Sequence, residues 1–279
     1  MPVRIVTDSS CDLTDEQVAP HHIEVVPLTI RFGDEELEDR TELTAEAFYD
    51  RLATTEVLPE TAAPSPGRFE AAFRRQAEGG ADAVVCINLS AGLSATMQSA
   101  QNAATAVKDD LDVRVIDSAS VTSGLGTQVL LAAEAAEGGA SVDEVVALVE
   151  GLVARTHVFG ALDTLENLKK GGRIGGAQAI LGSLLSIKPI LDLSSGTVEE
   201  AGKARTRRKA LEVLRDKVFE AGQVEHLCVS HGFAPDLDLM LDLLGARIPR
   251  DEIRVGHIGP VIGTHGGPRV VGVTWLDPA

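Results

Sequence analysis

The 279-residue sequence predicts an α/β protein in two domains, and three stretches carry that expectation. Val3 to Thr7 is an apolar strand pattern that runs at once into the polar cluster Asp8-Ser9-Ser10-Cys11-Asp12 and then a helix, the opening of an α/β unit. Asp82 to Leu89 is a β-rich apolar run of a strand buried on both faces. Leu93, Met97, Ala100 and Ala104 then recur at helical spacing. Val113 to Ser118 repeats the pattern, ending in an acid and a hydroxyl before an Ala- and Leu-rich helix.

Taken in order, the first strand and its polar exit lead to a helix over 15–19. Ile23 to Phe32 reads as one strand bent at Pro27, since proline cannot donate to a ladder. Gly33-Asp34 is a turn, and Thr44 caps a helix over 45–53. The segment from Glu60 to Gly67, with Pro64 and Pro66, reads as a stiff loop ahead of a helix over 68–78. Ser141 and Glu144 form a capping box for a helix ending near Ala154. The domain boundary is placed just after it, giving an N-terminal domain over 1–155 and a smaller C-terminal domain over 156–279. In the second domain, 158–162 reads as a strand, 165–170 as strand or helix and 177–185 as an apolar helix. Strands are expected over 187–193, 226–231, 252–258 and 269–275, with helices reaching Ala221 and spanning 237–244. Gly259 to Pro268 reads as a loop that presents His265 between glycines.

A net charge of −17 sets the protein against nucleic acid and anionic membrane surfaces as default partners. Transient membrane contact stays open. Cys11, Cys86 and Cys228 have neither disulfide nor metal spacing. Neither a signal peptide nor a membrane span is apparent, so a cytoplasmic location is expected.

Candidate chemistry collects at the strand exits. Backbone N–H groups where Ser90 to Ala100 turns into a helix suit a small anion, although Ser90 or Ser94 also suits a plain helix cap. Thr61 on its rigid loop suits a helix entry as well as a binding hydroxyl. Asp8, Ser9, Ser118 and Ser120 suggest a polar pocket along one sheet edge. Gly171 to Gly176 matches neither the P-loop nor the dinucleotide fingerprint, and its Arg173 is an anion hook or a solvated residue. Lys203, Arg205, Arg207, Arg208 and Lys209 form a basic cluster suited to an acidic partner or a phosphate.

Together, Asp8 to Leu13, Thr61 with Pro64-Ser65-Pro66, Ser90 to Ala100, Asp117-Ser118, Gly171 to Ile174, Gly202 to Thr206 and His265 to Pro268 resemble the DegV family almost end to end. The resemblance implies a two-domain fatty acid-binding fold with the ligand between the domains. It further implies a FakB-like carrier subunit that offers a long-chain fatty acid to the catalytic subunit of fatty acid kinase in phospholipid metabolism. By the same resemblance Thr61 and Ser94 hold the carboxylate with N–H groups beside Ser94, at Ala95. His265 and Gly266 lie near the headgroup, and Ser118 and Arg173 complete the ligand contacts. Arg205, with Lys203, faces the kinase. No cofactor, metal or catalytic residue is implied. The sequence departs from the family at Ala95 and Arg269, where glycine is usual, and at the Ala62-Ala63 pair. The Arg269 departure is expected to put a cation near the His265 loop.

Burying an acyl chain of about sixteen carbons at roughly 0.8 kcal/mol per methylene yields on the order of 12 kcal/mol before association costs. The carboxylate must then be paired, since unpaired burial costs several kcal/mol. Hydroxyls and N–H donors are expected to meet that need without a fixed cation. Two rivals make different predictions: a serine acyl-ester hydrolase using Ser94, His265 and Asp8 or Asp117, and a nucleotide or small-anion sensor built on the glycine loop.

Overall fold

The structure, a computed structural model, describes residues 2–180 and 187–279. The chain begins with β1 (Val3–Asp8), a 3-10 turn at Ser9–Cys11 and the one-turn helix α1 (Asp15–Val18). Pro27 does more than bend a strand. The segment expected to be one strand is β2 (Glu24–Val26) and β3 (Thr29–Phe32), which belong to different sheets. The chain changes sheets at the residue that has no N–H to donate, and the next amide, Leu28 N, donates to Ser9 Oγ at 3.1 Å.

β3 is the centre of a three-stranded antiparallel sheet with β4 (Glu35–Glu38) and β5 (Glu60–Ala62). Thr61 therefore sits in a strand opposite Ile30 rather than in a loop. α2 (Ala45–Thr54), with Thr44 Oγ1 accepting Ala47 N at 3.2 Å, buries Phe48, Tyr49 and Leu52 against this sheet.

After α3 (Pro66–Glu78) come β6 (Ala83–Asn88), α4 (Thr96–Val107), β7 (Asp112–Asp117), α5 (Thr122–Glu137) and α6 (Val142–Val153). β2, β1, β6 and β7 form a parallel sheet in that order. One face packs on α3 and α4 through Phe69, Phe73 and Ala100. The other packs on α5 and α6 through Leu125, Val129 and Val149. Covered on both faces, β6 is buried along its whole length, which is why it reads as an unbroken apolar run.

The rest of the chain builds a mixed six-stranded sheet. Its strands are β8 (Thr156–Ala161), β9 (Lys188–Asp192), β10 (Glu199–Ala204), β11 (Glu225–His231), β12 (Arg254–His257) and β13 (Val271–Leu276). Their order is β10-β9-β8-β13-β11-β12, antiparallel except for the β11–β12 edge pair. α8 (Arg207–Ala221) and α9 (Leu237–Gly245) cover one face through Leu211, Leu214 and Met240. The short helix α10 (Pro260–Gly266) lies by β3 and β5, and α7 (Glu166–Lys170) packs against α10. The helix expected over 177–185 begins as a 3-10 turn at Gly175–Ile180, and 181–185 lies outside the described residues. No helix among the described residues is long and apolar enough to cross a membrane.

Candidate functional site

The turn between β6 and α4 is fixed by the chain on both sides. Ser90 N donates to Ser120 O at 2.9 Å, and Ser90 Oγ donates to Gly196 O in the turn between β9 and β10. Gly92 packs so tightly there that an added Cβ would lie 2.8 Å from Gly196 O. Leu93 N and Ser94 N both donate to Ser90 O. This places Ser94 just ahead of α4, where its Oγ accepts Thr96 N at 3.2 Å and pairs with Thr96 Oγ1 at 2.9 Å. Ser94 holds the first amide of α4 and lines a cavity at the same time. Thr61 and His265, 204 residues apart in sequence, line that cavity too, and Thr61 Oγ1 lies 3.0 Å from His265 Nε2.

His265 is not on a loop. Pro260 sits in the first turn of α10, whose C-cap is Gly267 at φ 76, and His265 occupies the last turn. Gly263 is required because a Cβ there would lie 2.5 Å from Tyr49 Oη. The imidazole Nδ1 is buried with no hydrogen-bond partner, against Gly171, where a Cβ would lie 2.4 Å away. The tautomer with its proton on Nε2 leaves no buried donor unpaired. His265 then donates to Thr61 Oγ1, and the threonine's own proton is free to point into the cavity. Burial, followed by the charge of Arg173, lowers the His265 pKa to about 4, so the ring is neutral at pH 7.

Arg173 is held in place. Its Nε donates to Leu93 O at 3.1 Å and its Nη1 to Gly171 O at 2.7 Å, and the residue lines the cavity while remaining exposed to solvent. The expected absence of a fixed cation is therefore corrected: a guanidinium is tied to the residue before Ser94, on the side of His265.

Behind these groups lies a cavity of about 840 Å³ of non-atom space, its solvent-open mouth included. Its wall is apolar. Leu28 comes from the link between β2 and β3, Leu89, Leu93 and Val121 from the turns after β6 and β7, and Val158, Leu191 and Val198 from the C-terminal sheet and its connections. Among the described residues its polar side chains are Thr61, Ser94, Thr122, Arg173 and His265. Gly266 lines it as well.

Other expected contacts go elsewhere. Ser118 is buried outside the cavity wall, with its Oγ accepting Ser120 N and donating to Ser120 O. The supposed polar pocket at the strand exits is internal loop bonding. Asp8, wholly buried, accepts from Ser10 N and Oγ, Asn88 Nδ2 and Leu89 N, and burial raises its pKa. Asp117 accepts Ala91 N and Ala119 N. Ala95, also outside the wall, is the N-cap of α4. Arg269 reaches Asp163 at 3.5 Å, and its carbonyl accepts from Arg207, so this cation does not join His265. It does adopt φ 60, the backbone conformation for which glycine is suited. Lys203 and Arg205 are exposed, just ahead of α8. Thr122, one of the hydroxyls clustered after Asp117-Ser118 in the sequence, does line the cavity, with a positive φ of 48.

The geometry disfavours both rivals. His265 Nε2 bonds Thr61 while Ser94 Oγ bonds Thr96, and Asp8 and Asp117 are occupied by loop amides, so no nucleophile–base–acid chain exists among them. In the glycine loop Gly176 N donates to Val198 O at 2.8 Å, which removes it from any phosphate cradle.

Comparison with known proteins gives one consistent result. A family model described as "uncharacterised protein, DegV family" matches residues 2–277. A DegV domain-containing protein of Streptomyces coelicolor is 39% identical over 275 residues, 97% of each chain. A DegV family protein of Thermus thermophilus, described by its fatty acid binding, superposes with a TM-score of 0.89 at 34% identity over 100% of both chains. DegV of Bacillus subtilis, described as a fatty acid binding protein, gives 0.87 at 31%, again over 100% of both.

Proposed function

The chain belongs to the DegV family, and from that membership and its cavity we propose that it binds one long-chain fatty acid and presents the carboxyl group to a separate kinase. The carboxylate is held by the Thr61 and Ser94 hydroxyls, with Arg173 supplying the balancing charge. His265 orients the Thr61 hydroxyl. The acyl chain lies along the apolar wall between the N-terminal domain (1–155) and the C-terminal domain (156–279), and Lys203 and Arg205 face the kinase. The protein is a cytoplasmic carrier, in keeping with three buried free cysteines.

The observation that carries this reading is the bond between Thr61 and His265 at a cavity whose remaining wall is almost wholly apolar. An acid whose tail seeks that wall has its charge met only where the hydroxyls and Arg173 stand. The fatty acid binding of the Thermus and Bacillus relatives supports the same ligand class. A neutral His265 leaves the site with one cation, matched to one carboxylate.

Native mass spectrometry of the protein purified from a bacterial host tests the binding step, with a co-purified fatty acid as the expected result. A lipid-free mass that stays unchanged on adding palmitate refutes it. Mixing the loaded protein with ATP and a bacterial fatty acid kinase catalytic subunit tests presentation. Acyl phosphate is expected, at a rate lowered at least tenfold by Arg205→Glu, and no product from loaded protein refutes that step alone.

A further inference from the structure

Two glycines stand side by side in the apolar wall. Gly160 of β8 pairs with Gly272 of β13 in the middle of the six-stranded sheet, and both line the cavity. Phe159 and Ala161 pack into the cluster under α8 and α9. Side chains alternate along a strand, so Gly160 shares the cavity face with Val158 and Leu162, which line it too. Leu191, opposite Gly160 on β9, and Val270, just ahead of β13, line it as well. These apolar side chains frame a notch whose floor is bare backbone.

Glycine inside a strand gives up packing and chain entropy, and it marks a place where something approaches the backbone closely. For Gly272 that something is the neighbouring strand, since a Cβ there would lie 3.2 Å from Phe159 O. Gly160 has no such reason. Leaving its chain neighbours aside, the nearest described atoms to a Cβ on Gly160 would be Leu162 Cδ1 at 3.6 Å and Val271 O at 3.9 Å, ordinary contacts, and its φ is not positive. The sheet therefore has room for a side chain at 160, and the missing one enlarges the cavity. No atom of Thr61, Ser94, Arg173 or His265 comes within 4 Å of a Cβ at either glycine, so the notch lies apart from the headgroup contacts.

We infer that Gly160 determines which acyl chains the protein accepts: the notch seats a stretch of the tail against the backbone of β8, and a side chain there shortens the longest acid that fits. This rests on the fatty acid reading above and deepens it by naming the residue that selects the tail.

Displacement of a fluorescent fatty acid by the saturated acids from octanoic to stearic tests this on delipidated wild type, Gly160→Ala and Gly160→Val. Each methylene that loses its seat costs about fourfold in affinity, so alanine should weaken stearate about fourfold and valine roughly tenfold or more. Acids too short to reach the notch should keep their wild-type affinity. The lipid-free alanine variant should unfold in denaturant at a midpoint no lower than that of the wild type. One common factor at every chain length, or stearate binding unchanged in both variants, overturns the inference. So does a lower midpoint for the alanine variant, which would make the glycine a need of the sheet. Alanine adds one methyl in ordinary contact, so it decides the matter even if the valine variant does not fold. If the wild type binds none of the acids, the fatty acid reading falls, and the inference with it.

Discussion

Thr61→Val removes one hydroxyl and keeps the side chain's shape, which makes it the cleanest probe of the headgroup site. In the native arrangement Thr61 Oγ1 accepts from His265 Nε2 at 3.0 Å and has one proton left for the ligand. A hydrogen bond to a carboxylate contributes about 1.5–3 kcal/mol, so the variant should bind palmitate roughly 10- to 150-fold more weakly. Isothermal titration measures this, with methyl palmitate presented on a carrier as the comparison. The ester keeps the tail and loses the charge, so its affinity should change by less than about threefold. A palmitate loss below threefold, or equal losses for acid and ester, would refute the placement of the carboxylate at Thr61.

Three further outcomes follow from the same geometry. Gly171→Ala puts a methyl where His265 Nδ1 stands 2.4 Å away; it should cost about 1–3 kcal/mol in denaturant unfolding and weaken palmitate along with it. Arg269→Gly relieves a non-glycine φ of 60 at the expense of a half-exposed ion pair with Asp163, and should raise stability by about 0.5–1 kcal/mol; an unchanged or lower unfolding midpoint would contradict this. His265 has a folded pKa of about 4 against an ordinary value of 6.5. The unfolded chain thus binds the extra proton between these values, and this contribution is full above pH 6.5 and lost as pH falls toward 4, by about 3 kcal/mol at most. Asp12 and Asp39, raised by burial to about 8 and 7, pull the opposite way as pH changes. The difference between wild type and His265→Asn isolates the imidazole, and a difference that does not vary from pH 7 to 4.5 would contradict the assigned burial.

The parts of the fold legible in the sequence are those whose cause is local. β6 is apolar throughout because both faces are covered, and Ser141 with Glu144 forms the expected capping box. Long-range pairing was hidden. β4 is Glu-Glu-Leu-Glu, an edge strand whose charges give no alternating apolar signal, and β5 is three residues long, so Thr61 looked like loop. α10 looked like loop because Gly259, Gly263, Gly266 and Gly267 dilute its pattern, yet Gly263 is set by Tyr49 packed against it.

At the site, residue types were readable and their partners were not. Ser94 and Ser118 both follow strands and both cap local turns, and only Ser94 reaches the cavity. Which of two similar serines does so depends on how the C-terminal sheet docks, through Ser90 and Gly196. Arg173 looked mobile among glycines because its acceptor, Leu93 O, lies 80 residues away.

A crystal structure of the protein as purified from a bacterial host tests the central claim most directly. The account predicts continuous density along the apolar wall, ending in a carboxylate within hydrogen-bond distance of Thr61 Oγ1 and Ser94 Oγ. Side chains collapsed into the cavity, or a ligand whose charged end lies away from both hydroxyls, would contradict it.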